Sequence, residues 1–96
     1  MPLAFEWDSR KAKSNQRKHG VSFEEACTVF EDIGATIFPD EDHSNGEERE
    51  IIVGYSVLDR LLLVSFTERF KNRVRIISAR KATRSEQKDY EENIGS

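Results

Sequence analysis

The sequence predicts an α+β domain in which helices pack on a small antiparallel sheet. Three observations carry that prediction. Two S/T-x-x-E capping boxes, Ser22 with Glu25 and Thr83 with Glu86, mark helix starts. Between them, strand-like runs over about 49–57, 61–67 and 73–79 follow one another at hairpin spacing. Ahead of them, a short alternating run precedes a helical stretch that stops at a glycine.

Residues 3–7, LAFEW, alternate and are bulky, which predicts the first strand. Asp8 or Ser9 caps a helix running to about His19, with Gly20 as its C-terminal stop. The apolar face of that helix is thin, with Ala12 its one clear core residue. From Ser22 a second helix runs to about Glu31, burying Phe23, Ala26, Cys27 and Phe30 at helical spacing. A strand over 35–38 leads into a polar loop whose Asn45-Gly46 pair marks a turn. LLLVSFT at 61–67 is apolar on both faces, so it belongs in the middle of the sheet. Thr83 opens a last helix to about Asn93, with only Tyr90 and Ile94 as large apolar residues.

Ninety-six residues suit a single domain, 1–96, without repeats or linkers. No apolar run approaches the roughly 18 residues of a membrane helix, and the N-terminus does not read as a secretory signal. One cysteine, Cys27, excludes an internal disulfide and fits a reducing cytoplasm. The net charge of −3 hides an uneven distribution. Residues 1–25 carry five basic and four acidic side chains, residues 26–59 one and nine, and residues 60–96 nine and five. From Arg69 to Arg84 there is no acid at all. A basic stripe on an acidic body still binds phosphate.

Four constellations are candidates for chemistry. Lys11, Asn15, Lys18 and His19 share one side of the first helix, as a phosphate-facing ridge or as a solvated basic face. His43 lies on the polar loop, where a histidine can carry a proton or do nothing. Its neighbours Asp40 and Asp42 raise the idea of a metal, but without accompanying cysteines no metal or other cofactor is expected. Arg49 is the one cation in residues 26–59 and points away from Glu48 and Glu50, either into a salt bridge at the core margin or toward a phosphate. The last set is Arg69, Lys71, Arg73, Arg75, Arg80, Lys81 and Arg84. Arg73 and Arg75 alternate with Val74 and Ile76, so both face one side of the sheet, which suits single-stranded RNA better than duplex DNA. A helix–turn–helix reading of SNQRKHGVSFEEA fails on charge: Glu24 and Glu25 would open its recognition helix against phosphates.

Together the pieces resemble one family. FEWD at 5–8, Lys11, Asn15, KHGVSFEEA at 18–26, Val29-Phe30, FPD at 38–40, DHS at 42–44, EER at 47–49, Gly54, RIISARKAT at 75–83, Glu86 and Tyr90-Glu91 look like the BrnT toxins. Ser9 departs from them where the family often has proline, and Glu41 varies a loop position. The resemblance implies a RelE-like fold, with two N-terminal helices on the sheet and a C-terminal helix. It also implies an endoribonuclease that arrests translation and is neutralised, in a hetero-oligomer, by a BrnA-like antitoxin. DNA would be met only through that antitoxin. Ribose 2′-hydroxyl attack on the adjacent phosphate needs no metal, but it needs a base, an acid and cations. Arg49, Arg75 and Arg80 are the expected phosphate stabilisers and His19 or His43 the acid or base, with Lys18 assisting. Lys11, Arg69, Lys71, Arg73 and Lys81 are the expected RNA contacts. The alternative is a binding module whose basic stripe docks an acidic protein or nucleic acid without chemistry.

Overall fold

A computed structural model describes residues 3–41 and 48–94. In chain order they form β1 (Ala4–Glu6), α1 (Ser9–His19), α2 (Phe23–Thr28) with a 3₁₀ turn (Val29–Glu31), β2 (Thr36–Pro39), β3 (Glu50–Tyr55), β4 (Leu61–Phe70), β5 (Arg73–Lys81) and α3 (Arg84–Ile94). The strands make one sheet in the order β1-β5-β4-β3-β2. β2 to β5 are the expected antiparallel meander, but β1 joins β5 in parallel, so the sheet is mixed and not antiparallel. The reason lies in how α1 docks. Phe5 sits opposite Val74, and Asn15 of α1 reaches Ala79, so the chain advances beside β5 in the direction of β5 itself.

Asp8 caps α1, its carboxylate accepting the N–H groups of Arg10 at 2.8 Å and Lys11 at 3.3 Å. Gly20 ends the helix at φ 70°, where a Cβ would be strained. The one buried residue of α1 is polar, Asn15. Its amide nitrogen donates to the carbonyls of Ala79 at 2.8 Å and Val21 at 3.0 Å, and its oxygen accepts the Ala79 N–H at 3.1 Å. Beyond Arg75, β1 no longer covers the edge of β5. There the Asn15 carboxamide satisfies both backbone groups of Ala79, as a neighbouring strand would. Asn15 therefore acts as a structural clamp, its carboxamide given to backbone groups, while it lines the same hollow as Lys11, Lys18 and His19.

Ser22 accepts the Glu25 N–H at 3.0 Å, but only half of the expected capping box forms. The Glu25 carboxylate turns inward, accepting the Ser56 hydroxyl at 2.6 Å, the Arg60 Nε at 2.9 Å and the Arg60 Nη2. Arg60 also donates to the Gly20 carbonyl at 3.1 Å. The guanidinium holds the Glu25 carboxyl below the usual carboxylate range, against the opposing effect of burial. After Thr28, whose hydroxyl donates to the Glu25 carbonyl, the expected helix tightens into the 3₁₀ turn. Asp32 comes next, accepting the Tyr55 N–H at 2.7 Å. The strand passes so close here that a Cβ on Gly54 would meet Ala35 Cβ at 2.8 Å. Only glycine fits.

Val21, Phe23, Ala26 and Val29 bury against Ile52, Leu62, Val64, Phe66, Val74, Ile76 and Ala79 on one sheet face. Cross-strand partners shift between Ser65↔Ser78 and Phe66↔Ile76, making Ile77 an extra residue in β5. On the opposite face, α3 is held by the Tyr90 hydroxyl donating to the Gly34 carbonyl and the Tyr55 hydroxyl donating to Glu91, both at 2.7 Å. It leaves the rest of that face open.

Replacing Asn15 with alanine is expected to cost about 2–4 kcal/mol, because Ala79 loses both partners at a buried position. Asn15→Leu, which restores bulk without hydrogen bonds, should do no better. Urea unfolding midpoints of the three proteins check this.

Candidate functional site

The open face lines up polar and charged groups across four neighbouring strands. Thr67 of β4 sits opposite Arg75 of β5, and Arg75 sits opposite Glu6 of β1. Glu50 pairs with Phe66, and continuing that register sets Arg49 across from Thr67. The Thr67 hydroxyl, buried, donates to the Glu48 carbonyl at 2.8 Å and so fixes the chain that delivers Arg49. Arg49 itself is half-buried, with its Nε shielded from solvent. A row Arg49, Thr67, Arg75, Glu6 therefore crosses the sheet, with its two arginine strands about 10 Å apart, twice the strand spacing.

Glu6 lies between two arginines. One carboxylate oxygen is 3.1 Å from Arg75 Nη1 and the other 3.8 Å from Arg73 Nε. All three side chains stay partly open to solvent, at 34% for Glu6, 33% for Arg75 and 55% for Arg73. Asp8 stands nearby, its carboxyl pulled down first by the Arg10 and Lys11 amides, with Lys11 and Arg75 adding to the effect. Sequence reasoning alone misses Glu6. The alternation of Phe5, Glu6 and Trp7 already sets it facing away from the core, but its arginine neighbours come from a strand nearly seventy residues away in the chain, Arg75 lying 69 positions on.

The other expected site residues disperse. Arg80 shares the open face, opposite Leu63, but its guanidinium makes a two-pronged bond to Glu86 of α3 at 2.8 and 2.9 Å. Glu86 is also the reciprocal partner of Thr83 in a complete capping box, and these contacts hold its carboxyl at about 2. Lys81, adjacent to Arg80, falls on the helix side with Ala79 and adds its field to Glu25. It does not join the arginines. Arg69 and Lys71 border the β4–β5 hairpin tip beside Phe70, which is 74% exposed. Lys11, Lys18 and His19 line a hollow of ≈ 210 Å³ at the edge of the sheet with Ile77 and Ser78, away from the Arg49–Arg75 row. His43 lies outside the described residues. Among the described residues no three His, Cys, Asp or Glu side chains cluster as a metal site, and no helix is long and apolar enough to cross a membrane.

Such a face can hold a phosphodiester between guanidiniums with a carboxylate alongside. A family model described as the ribonuclease toxin BrnT of type II toxin–antitoxin systems matches residues 7–86. Among solved structures, the crystal structure of the Brucella abortus ribonuclease toxin BrnT superposes with a TM-score of 0.67 at 23% identity, covering 85% of this chain and 99% of that one. That likeness speaks for the fold, an α+β arrangement with a five-stranded mixed sheet. No curated protein matches.

The Arg80–Glu86 pair predicts how α3 responds to acid. Because the carboxyl of Glu86 is depressed in the folded chain, its contribution is complete above the ordinary carboxylate value and is lost as pH falls toward about 2. Glu86→Gln should remove it at neutral pH, at about 1 kcal/mol for so exposed a pair. Amide exchange along α3 should then quicken roughly fivefold, and the difference from wild type should vanish in acid.

Proposed function

The chain belongs to the BrnT ribonuclease toxins of type II toxin–antitoxin systems, and from that premise we propose that it cleaves RNA without a metal, by attack of a ribose 2′-hydroxyl on the neighbouring phosphate. The observation that carries this reading is the alignment of Arg49 and Arg75 on one open sheet face, held there by Thr67 and the β-ladder. Two guanidiniums carried on one face stabilise the extra negative charge of a pentacoordinate phosphorane better than that of the starting diester. RNA supplies its own nucleophile, so no serine or cysteine is needed. Cys27 agrees, its thiol pushed up to about 11 by burial.

Arg73 and the hairpin residues Arg69 and Lys71 extend the cationic path for the strand. Lys11 and Lys18 continue it around the sheet edge. His19 or His43 is the candidate acid or base, with Lys18 beside the former. Arg80, paired with Glu86, adds positive charge on the same face and not a direct grip on the phosphate. We read the fold as RelE-like and residues 1–96 as one toxin domain acting in the cytoplasm. A BrnA-like antitoxin occupies the cationic face in a hetero-oligomer, and contact with DNA comes only through it. Cleavage of RNA is what inhibits translation.

Purified chain, freed of partner and incubated with labelled RNA in EDTA, should yield fragments ending in 2′,3′-cyclic phosphate. Arg49→Ala and Arg75→Ala should each lower the rate about 10²–10³-fold while melting like wild type. Normal cleavage by both variants would remove these arginines from the site. Absence of cleavage by wild type, with and without translating ribosomes, would favour a binding module.

A further inference from the structure

Cleavage by 2′-hydroxyl attack requires a group that takes the hydroxyl proton. His19 is a poor choice for it, since its hollow is at the sheet edge, beside Ile77 and Ser78, and not in the row that crosses the open face. Carboxylates are the other option. Asp8 spends an oxygen on two α1 amides, and Glu86 gives both of its oxygens to Arg80. Glu6 differs from both. Each of its oxygens meets one guanidinium, the Arg73 contact is long at 3.8 Å, and about a third of the side chain is open to solvent.

We propose that Glu6 is the general base of the cleavage reaction. This rests on the ribonuclease reading above and assigns within it a residue that reading leaves without a role. A phosphodiester entering the row draws Arg75 and Arg73 toward its own oxygens, because a guanidinium fork bonds phosphate as readily as carboxylate. That releases a Glu6 oxygen beside the bound phosphate. The carboxylate then takes the proton from O2′ as the O2′ lone pair forms a bond to phosphorus. The P–O5′ bond breaks with its electron pair leaving on O5′, which is protonated by the donor on the leaving side. Glu6 gives its proton to solvent as that donor recovers one, so the products are a 2′,3′-cyclic phosphate and a 5′-hydroxyl with no net change in protons.

In this arrangement the arginines have two successive partners. In the resting chain they hold the base in place and screen its charge from incoming RNA, and in the complex they hold the phosphate. Glu6 therefore adds little to RNA affinity and much to turnover.

The test is Glu6→Gln, which keeps a hydrogen-bond acceptor for Arg75 but cannot accept a proton from the hydroxyl. The expected result is a kcat lower by about 10²–10³ with KM changed less than about threefold. The acidic limb of the pH–rate profile should disappear, Glu6→Asp should restore part of the rate, and the melting temperature and the affinity for RNA blocked by a 2′-deoxy sugar at the scissile position should be unchanged. A Glu6→Gln enzyme within about fivefold of wild-type kcat, still showing that limb, would overturn the assignment and leave the ribonuclease reading standing. So would a loss confined to KM or to stability, which would make Glu6 a positioning residue for Arg75. A wild-type chain that cleaves no RNA, free or on ribosomes, would overturn the reading and this assignment together.

Discussion

The structure depends on the clamp that Asn15 makes to Ala79 and Val21. A helix of sequence SRKAKSNQRKH has almost nothing apolar to bury, and hydrophobic burial alone does not hold it. Three hydrogen bonds in a dry setting replace that burial, and they fix register as well as proximity. With α1 pinned to β5, the short segment before it must run beside β5 in parallel. That is what brings Glu6 to Arg75. A polar contact under one helix therefore arranges a carboxylate and two guanidiniums on the opposite side of the same strand.

The remaining fixed points are also polar and long-range. Glu25, Ser56 and Arg60 tie α2 to the turn after β3, and through the Gly20 carbonyl they hold the end of α1 as well. Asp32 and the bare Cα of Gly54 let the 3₁₀ turn sit directly on β3. In so small a chain the apolar core, a cluster of eleven buried side chains among the described residues, is extended by such contacts and not merely decorated by them. The open face is then free to be polar, since stability is supplied from the other side.

Much of this was legible from residues alone. Apolar runs, capping signals and glycine stops gave element types and order, because those are local properties of the chain. Arg73 and Arg75 were readable as sharing one sheet face, and Arg49 as pointing away from Glu48 and Glu50, because strand parity is local too. What escaped was whatever depends on partners far away in sequence. Asn15 reads as one more polar residue on a basic helix until Ala79 arrives beside it. Glu25 satisfies a capping pattern, yet a distant arginine takes its carboxylate. Lys81 belongs to a basic run but alternates onto the wrong face, and Glu6 lies in a motif whose charge acquires meaning only beside β5. The parallel pairing of β1 was invisible for the same reason.

Ile77, the extra residue in β5, has a wider consequence. Arg75 and Arg80 are five positions apart, an odd count that in an unbroken strand would send them to opposite sides. The bulge changes the count to an even one, so both arginines look outward while Val74, Ile76 and Ala79 all look inward. One inserted residue thus works as a phase correction between two halves of a strand. The same residues paired without that bulge would keep their composition, charge and hydropathy while exchanging Ala79 for Arg80 beneath the helices. In this molecule the register of a strand carries information that its residue types do not.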